Sequence, residues 1–142
     1  MKIRTNKNGS NNDDWETPKE LYEELNKEFN FDFDPCPLHS KFDGLNVKWG
    51  NSNFVNPPYS RRLKDKFIEK GFNEWKHNNK TVVFLLPVST DTKIFHKYIY
   101  PCEKIRFLKG RVKFKGYNTK GEYVTNKCGQ TGSMICIFRG LK

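Results

Sequence analysis

The sequence predicts an α/β protein, a sheet with helices on both faces. Three observations carry that prediction. Apolar runs with strand character alternate with amphipathic stretches of helical period, the order that builds such a sheet. The run "TVVFLLP", Thr81 to Pro87, is apolar without interruption and ends at a proline, as a strand buried on both faces does. Near the end the alternation stops: "RVKF" and "GSMICIFRG" are two strands joined by a loop, which predicts an antiparallel C-terminal hairpin. With 142 residues there is room for one domain with a real core and too little for two ordinary ones. That domain is expected over 13–142.

Residues 1–12 are polar and rich in Asn and Lys, the composition of a disordered tail. A helix is then signposted by Thr17 as its cap, Pro18 at the first helical position and Glu20 completing a T-x-x-E capping box. Leu21, Tyr22, Leu25 and Phe29 share its apolar face. "FNFDFDP" alternates at period two and predicts a strand ending at Asp34-Pro35. "LNVKWGNSN" holds at most an irregular strand. "NFVNPP" is a strand that stops at Asn56, because each of the two prolines after it lacks an N–H and fixes its φ. Asn56 itself is pushed to extended geometry by the proline that follows. Residues 61–76 read as a helix with Leu63, Phe67, Ile68, Phe72 and Trp75 inward and Arg61, Arg62, Lys64, Lys66 and Lys70 outward. "TDTKIFHKYIY" predicts a further helix and "EKIRFL" a strand. Residues 115–131 form a polar, glycine-studded loop, long enough to suggest a function.

Hydrophobic residues are 35% and charged residues 30%, lean but globular. Twelve Phe, six Tyr and three Trp must therefore supply much of the core. The net charge of +10 favours a polyanionic partner, nucleic acid before any other. No apolar run reaches the ~20 residues that cross a bilayer. "MKIRTNKNGSNNDD" has no apolar stretch after its charges, so no secretory signal is read there. A cytoplasmic protein with no membrane partner is expected, with its four cysteines reduced. Cys36 and His39 are close enough to begin a zinc site, but no second pair at finger spacing follows, and buried thiols without metal are the expectation.

In open α/β sheets, ligands bind beyond the carboxyl ends of strands. Asp34, the turn Asn56-Pro57-Pro58-Tyr59, and Pro87-Val88-Ser89-Thr90 each close a predicted strand, and Thr17 begins the helix leading into the first. "NPPY" is similar to the catalytic motif of amino-group methyltransferases that use S-adenosylmethionine. The ordered blocks "WETP", "FDFDPCP", "DGL", "NPPYS", "FLLPVSTDT" and "FLKGRVKF" resemble the phage DNA N-6-adenine methyltransferase family from about Asp13 to Phe138. The resemblance implies a compact Rossmann-like class I methyltransferase sheet, S-adenosylmethionine as cofactor, DNA as partner and a phage gene acting in a bacterial host cell.

The chemistry explains why such residues are wanted. The exocyclic amine of adenine is a poor nucleophile, since its lone pair is delocalised into the ring. The side-chain oxygen of Asn56 can accept one amine hydrogen and the carbonyl of Pro57 the other, with the two prolines fixing that carbonyl in space. Neither acceptor titrates near neutrality, so the effect is positioning and electrostatics. Tyr59 offers a face on which a base stacks, worth about 1–3 kcal/mol.

On the cofactor side the resemblance implies Trp15, Thr17, Pro18, Asp34, Pro35 and Cys36 around the methionine part, with Asn56 bordering it. Asp43 would take the cofactor's adenine amine, with Leu45 or Phe42 on the ring. The alternative readings are that Thr17 only caps its helix and that Asp43 only begins a turn. The chain departs from the pattern in lacking a G-x-G after the first strand, where "DPCPLHS" stands, and in leaving little room for a ribose-binding acid between Asp34 and Asp43.

A target amine inside a duplex must be flipped out or met in single strands. Phosphates are expected against Arg61, Arg62, Lys64 and Lys66, and against Arg111, Lys115 and the loop 115–131. Phe114 either sandwiches the flipped base opposite Tyr59 or packs in the core. Two other readings stay open: methylation of RNA or of a protein glutamine, and a basic module that binds nucleic acid without catalysis.

Overall fold

The structure is a computed structural model that describes residues 15–37, 40–58, 60–117, 120–128 and 131–141. The expected tail over 1–12 lies outside these residues, as do His39 and Tyr59. In chain order the elements are strand β1 (Trp15–Glu16), helix α1 (Lys19–Phe29), strand β2 (Ser52–Val55), helix α2 (Arg61–Asn78), strand β3 (Thr81–Pro87), a π-helical segment (Phe95–Ile99), and strands β4 (Lys104–Phe107), β5 (Lys113–Tyr117), β6 (Tyr123–Cys128) and β7 (Ser133–Phe138).

Among the described residues these strands form two sheets, β2-β3-β7-β4 and β1-β5-β6. In the first, β2 and β3 are parallel, with Val55 opposite Phe84. Strand β7 runs antiparallel between β3 and β4. The "TVVFLLP" strand is central, and its residues Val82 to Leu86 are buried, as its uninterrupted apolar run requires. Val82, Phe84 and Leu86 pack with Phe67, Ile68, Phe95 and Ile99, from α2 and the π-helical segment. Val83 and Leu85 pack on the other face with Leu25 and Phe29 of α1. Helices therefore cover both faces.

Five local expectations are corrected. The last strand does not pair with "RVKF". The run "SMICIF" is apolar after Ser133 and is buried at every position, which a place between β3 and β4 supplies. The hairpin partner of β5 is β6, so much of the expected loop 115–131 is strand. "FNFDFDP" yields only a parallel bridge, Phe33 to Asn53. There the Asp32 carboxylate, not a backbone carbonyl, accepts the N–H groups of Asn51 (3.2 Å) and Ser52 (3.0 Å). Thr17 does not cap α1: Pro18 holds the cap position and makes no side-chain cap bond. The helix expected in "TDTKIFHKYIY" is shortened to the π-helical segment after a single α turn at Lys93-Ile94.

Candidate active site

The bridge from Phe33 to Asn53 is parallel, and β2 is parallel to β3, so the ends at Asp34, Asn56 and Val88 point the same way. Asn56 leaves β2 at that edge and is half-buried, while Pro57 and Pro58 behind it are buried. Its side chain is held by a segment 39–41 residues earlier. Nδ2 donates to the carbonyl of Trp15 at 2.8 Å and to Thr17 Oγ1 at 3.1 Å. With both N–H groups engaged, the acceptor Oδ1 is the end of the amide turned from this anchorage. Trp15 and Thr17 are themselves buried, at 6% and 9% exposure, so the anchor is rigid.

Asp34 turns back on its own chain, its Oδ1 accepting the N–H of Cys36 at 2.8 Å. Burial first, and then the negative charge of Asp34, raise the pKa of Tyr22, which places that carboxylate near the α1 face. Pro35 is buried, and Cys36 is half-buried and in no disulfide. The turn Asp43-Gly44-Leu45 lies directly against this strand end. A Cβ on Gly44 would overlap the carbonyl of Pro35 and touch Phe67, so only glycine allows the approach. Asp43 Oδ1 accepts the N–H of Leu45 at 3.0 Å and Oδ2 accepts from Asn46 Nδ2 at 2.8 Å, so the carboxylate does build its turn. The buried indole of Trp49 fixes the turn from below, donating to the Gly44 carbonyl at 2.8 Å.

The basic residues divide. Arg61, Arg62 and Lys66 of α2 are exposed, whereas Lys64 is half-buried. Arg61 lies 3.9 Å from Asp65, and Lys70 lies 3.6 Å from Glu74 and over the ring of Trp49. A cavity of about 250 Å³ opens between the start of α2 and the end of β3, lined by Arg61, Lys64, Asp65, Ser89, Thr92 and Met134 among others. Arg111 is exposed and Lys115 half-buried at the base of the β5–β6 hairpin. Phe114 is 5% exposed and packs with Trp15 in the second core cluster, so it serves the core. No group of three His, Cys, Asp or Glu able to hold a metal ion occurs among the described residues. No described helix is long and apolar enough to cross a membrane.

The structure thus joins Trp15, Thr17 and Asn56 in one contact and sets Asp34 and Pro35 beside Asp43 and Leu45. Two participants escaped the sequence reading. Trp49 has no local pattern that ties it to Gly44. The carbonyl of Trp15 is a backbone group whose use follows from β1, a two-residue strand too short to recognise.

Sheet and turns together define a class: an α/β protein whose polar groups gather at the carboxyl ends of parallel strands, around an asparagine held by its amide nitrogen. The family follows from comparison. The model of the DNA N-6-adenine-methyltransferase (Dam) family matches residues 4–142, and the chain belongs to that family. It is 27% identical over 143 residues to a DNA N-6-adenine-methyltransferase of Haemophilus phage HP1 (strain HP1c1), covering 92% of this chain and 77% of the relative. No solved structure matches.

Proposed function

We propose that this phage-type enzyme transfers a methyl group from S-adenosylmethionine to the exocyclic amine of adenine in DNA, at the carboxyl edge of the four-stranded sheet. Membership of the family supports the reaction and the substrate. The observation that carries the site is the engagement of both Asn56 amide N–H groups by Trp15 and Thr17, which leaves the amide oxygen to receive an amine hydrogen. The order β2-β3-β7-β4, with an antiparallel strand inside a parallel set and the Phe33 bridge beyond β2, supports a Rossmann-like methyltransferase sheet.

When bound, the cofactor supplies an electrophilic methyl on a sulfonium. The donor set fits it: the Asp34 carboxylate suits the ammonium of its amino-acid part, and the close-packed Gly44 turn brings Asp43 and Leu45 to the same strand end. Trp15, Pro18, Pro35 and Cys36 complete that wall, while the Thr17 hydroxyl is engaged by Asn56. Asn56 Oδ1 and the Pro57 carbonyl hold the two amine hydrogens and so localise the nitrogen lone pair toward the methyl. No proton needs to reach either group before transfer, so their contribution is preorganised electrostatics. Tyr59 takes the base by stacking, an assignment that rests on its place after the two prolines. Phosphates of a flipped or single-stranded site lie along Arg61, Arg62, Lys64 and Lys66, and along the β5–β6 hairpin with Arg111 and Lys115.

The test is single-turnover methylation of adenine-containing duplexes by Asn56→Ala, beside cofactor titration. The rate should fall about 10²-fold or more, as on losing one preorganised electrostatic group, with cofactor affinity little changed. Near-normal turnover would return Asn56 to an ordinary strand end.

A further inference from the structure

We infer that Thr17 is a positioning residue for methyl transfer: with the Trp15 carbonyl it forms a clamp that fixes which end of the Asn56 amide faces the substrate. The inference rests on the role given above to Asn56 and adds the device that makes that role dependable.

An asparagine amide is nearly symmetric in shape and opposite in chemistry at its two ends. Turned by half a revolution about its last bond, it would present N–H donors to an amine that needs an acceptor. Something must choose between the two orientations. Here two acceptors converge on Nδ2, the Trp15 carbonyl at 2.8 Å and Thr17 Oγ1 at 3.1 Å. The flipped amide would set its oxygen against the carbonyl of Trp15, an acceptor facing an acceptor. The carbonyl cannot change its polarity, so it sets the sense of the amide; the Thr17 hydroxyl takes the second N–H and holds the amide in that sense.

The clamp is also well placed mechanically. Trp15 is paired with Gly116 and Glu16 with Lys115, so the carbonyl is carried by the sheet that includes the β5–β6 hairpin. Asn56 belongs to the other sheet. The amide is therefore oriented across the junction of the two sheets, and Thr17, 9% exposed, is positioned at that junction and not at a helix cap. The sequence reading of Thr17 as a cofactor contact makes a different prediction, which allows a clean decision.

Three variants test it. Thr17→Val keeps the shape and removes the acceptor; Thr17→Ser keeps the acceptor. Loss of one such bond should lower the single-turnover rate about tenfold, while affinity for S-adenosylmethionine by calorimetry stays within about twofold, and Thr17→Ser should restore most of the rate. Asn56→Asp keeps an acceptor but removes both donors and sets an anion against the Trp15 carbonyl, so it should lose most of the activity. In the protein without cofactor, the side-chain amide NMR signals of Asn56 should show slowed hydrogen exchange that Thr17→Val relaxes. A Thr17→Val enzyme with normal rate and weakened cofactor binding would overturn the clamp and make Thr17 a cofactor residue, as would an Asn56→Asp enzyme with near-normal rate. If Thr17→Val fails to fold, Asn56→Asp and the wild-type exchange measurement still decide. Failure of the clamp is distinguishable from failure of the proposed reaction, because the latter requires Asn56→Ala to be active.

Discussion

The two sheets are built on different terms. In β2-β3-β7-β4 the central strands are buried on both faces, with Val82, Val83 and Phe84 at 0% exposure between two helical layers. In β1-β5-β6 only Trp15, Phe114 and Gly116 are buried, and β6 is exposed at nearly every position. The first sheet has the packing of a rigid support. The second has one covered face near β1 and a hairpin that reaches into solvent. The division suits an enzyme that must hold an amide to a fraction of an ångström and also follow a long polyanion. What joins the two is the packing of Trp15 and Phe114 in one apolar cluster with Phe54, Val83, Leu85, Ile135 and Ile137, and the bonds of Asn56 to Trp15 and Thr17.

The contrast is broken most directly by cutting the core of each. Phe84 packs edge-on to Phe138 at 5.9 Å between ring centroids and against Gly71 of α2. Phe84→Ala should cost about 3–5 kcal/mol by denaturant unfolding, through lost burial and a residual cavity. Tyr123, half exposed, meets Tyr117 at 5.3 Å, and Tyr123→Ala should cost about 1 kcal/mol, the worth of an aromatic pair. Equal costs would mean that the hairpin is as integral as the core.

Gly44→Ala probes the rigid side where it meets the site. The new Cβ would overlap backbone, which cannot swing aside as a side chain does. A loss of about 1–3 kcal/mol is expected, together with weaker cofactor binding, since the turn must withdraw from Pro35. A variant of normal stability whose cofactor affinity is unchanged would separate this turn from the site.

The two sides should also divide the contact with DNA. Reversing Arg62 and Lys66 to Glu on α2 should lower affinity and flatten the dependence of log K on log salt by roughly two phosphate contacts. Lys113→Glu with Lys127→Glu, both exposed on the hairpin, should do likewise. A salt slope unchanged in the second pair would confine the DNA to α2.

Much of the rigid side was legible in the sequence, because its strands and helices declare themselves by period. "TVVFLLP" and the face Phe67, Ile68, Phe72, Trp75 need no context to be read. The junction was not. Thr17, Pro18 and Glu20 fit a capping box, yet the hydroxyl is spent 39 residues away on Asn56, a tertiary choice that local spacing does not encode. The hairpin was hidden for another reason: "YVTNKC" is mostly polar and exposed, so it lacks the apolar alternation by which strands are recognised. The NPP turn was legible as a stiff mount, and what it could not reveal was which end of the amide the mount presents.

The smallest expected effect lies on the rim of the rigid side. Glu28, in the last turn of α1, accepts from Arg106 of β4 at 2.7 and 2.6 Å and from Arg139, just past β7, at 2.8 Å. Arg139 also reaches Glu103 at 3.0 Å. The hydrogen bond from Arg106 is the largest cause and, with lesser help from Arg139, lowers the Glu28 pKa from 4.5 to about 2, against an opposing effect of burial second only to Arg106. A carboxyl whose pKa is lower in the folded chain than in the unfolded one stabilises the fold wherever it is ionised in both states. Its contribution is therefore full above about pH 4.5 and is lost as the pH falls toward about 2. The side chain is 36% exposed, so solvent screening limits the gain to about 1 kcal/mol. Glu28→Gln should lower the unfolding midpoint slightly at pH 7, and the gap to the wild type should close on titration toward pH 2. High salt should narrow the gap as well, because the group sits at the surface. A gap that stayed constant with pH would show that the side chain acts by keeping Arg106 and Arg139 over the Phe29 ring, at 5.8 and 4.8 Å, and not by its charge, and the rim would then belong to the same apolar support as the core beneath it.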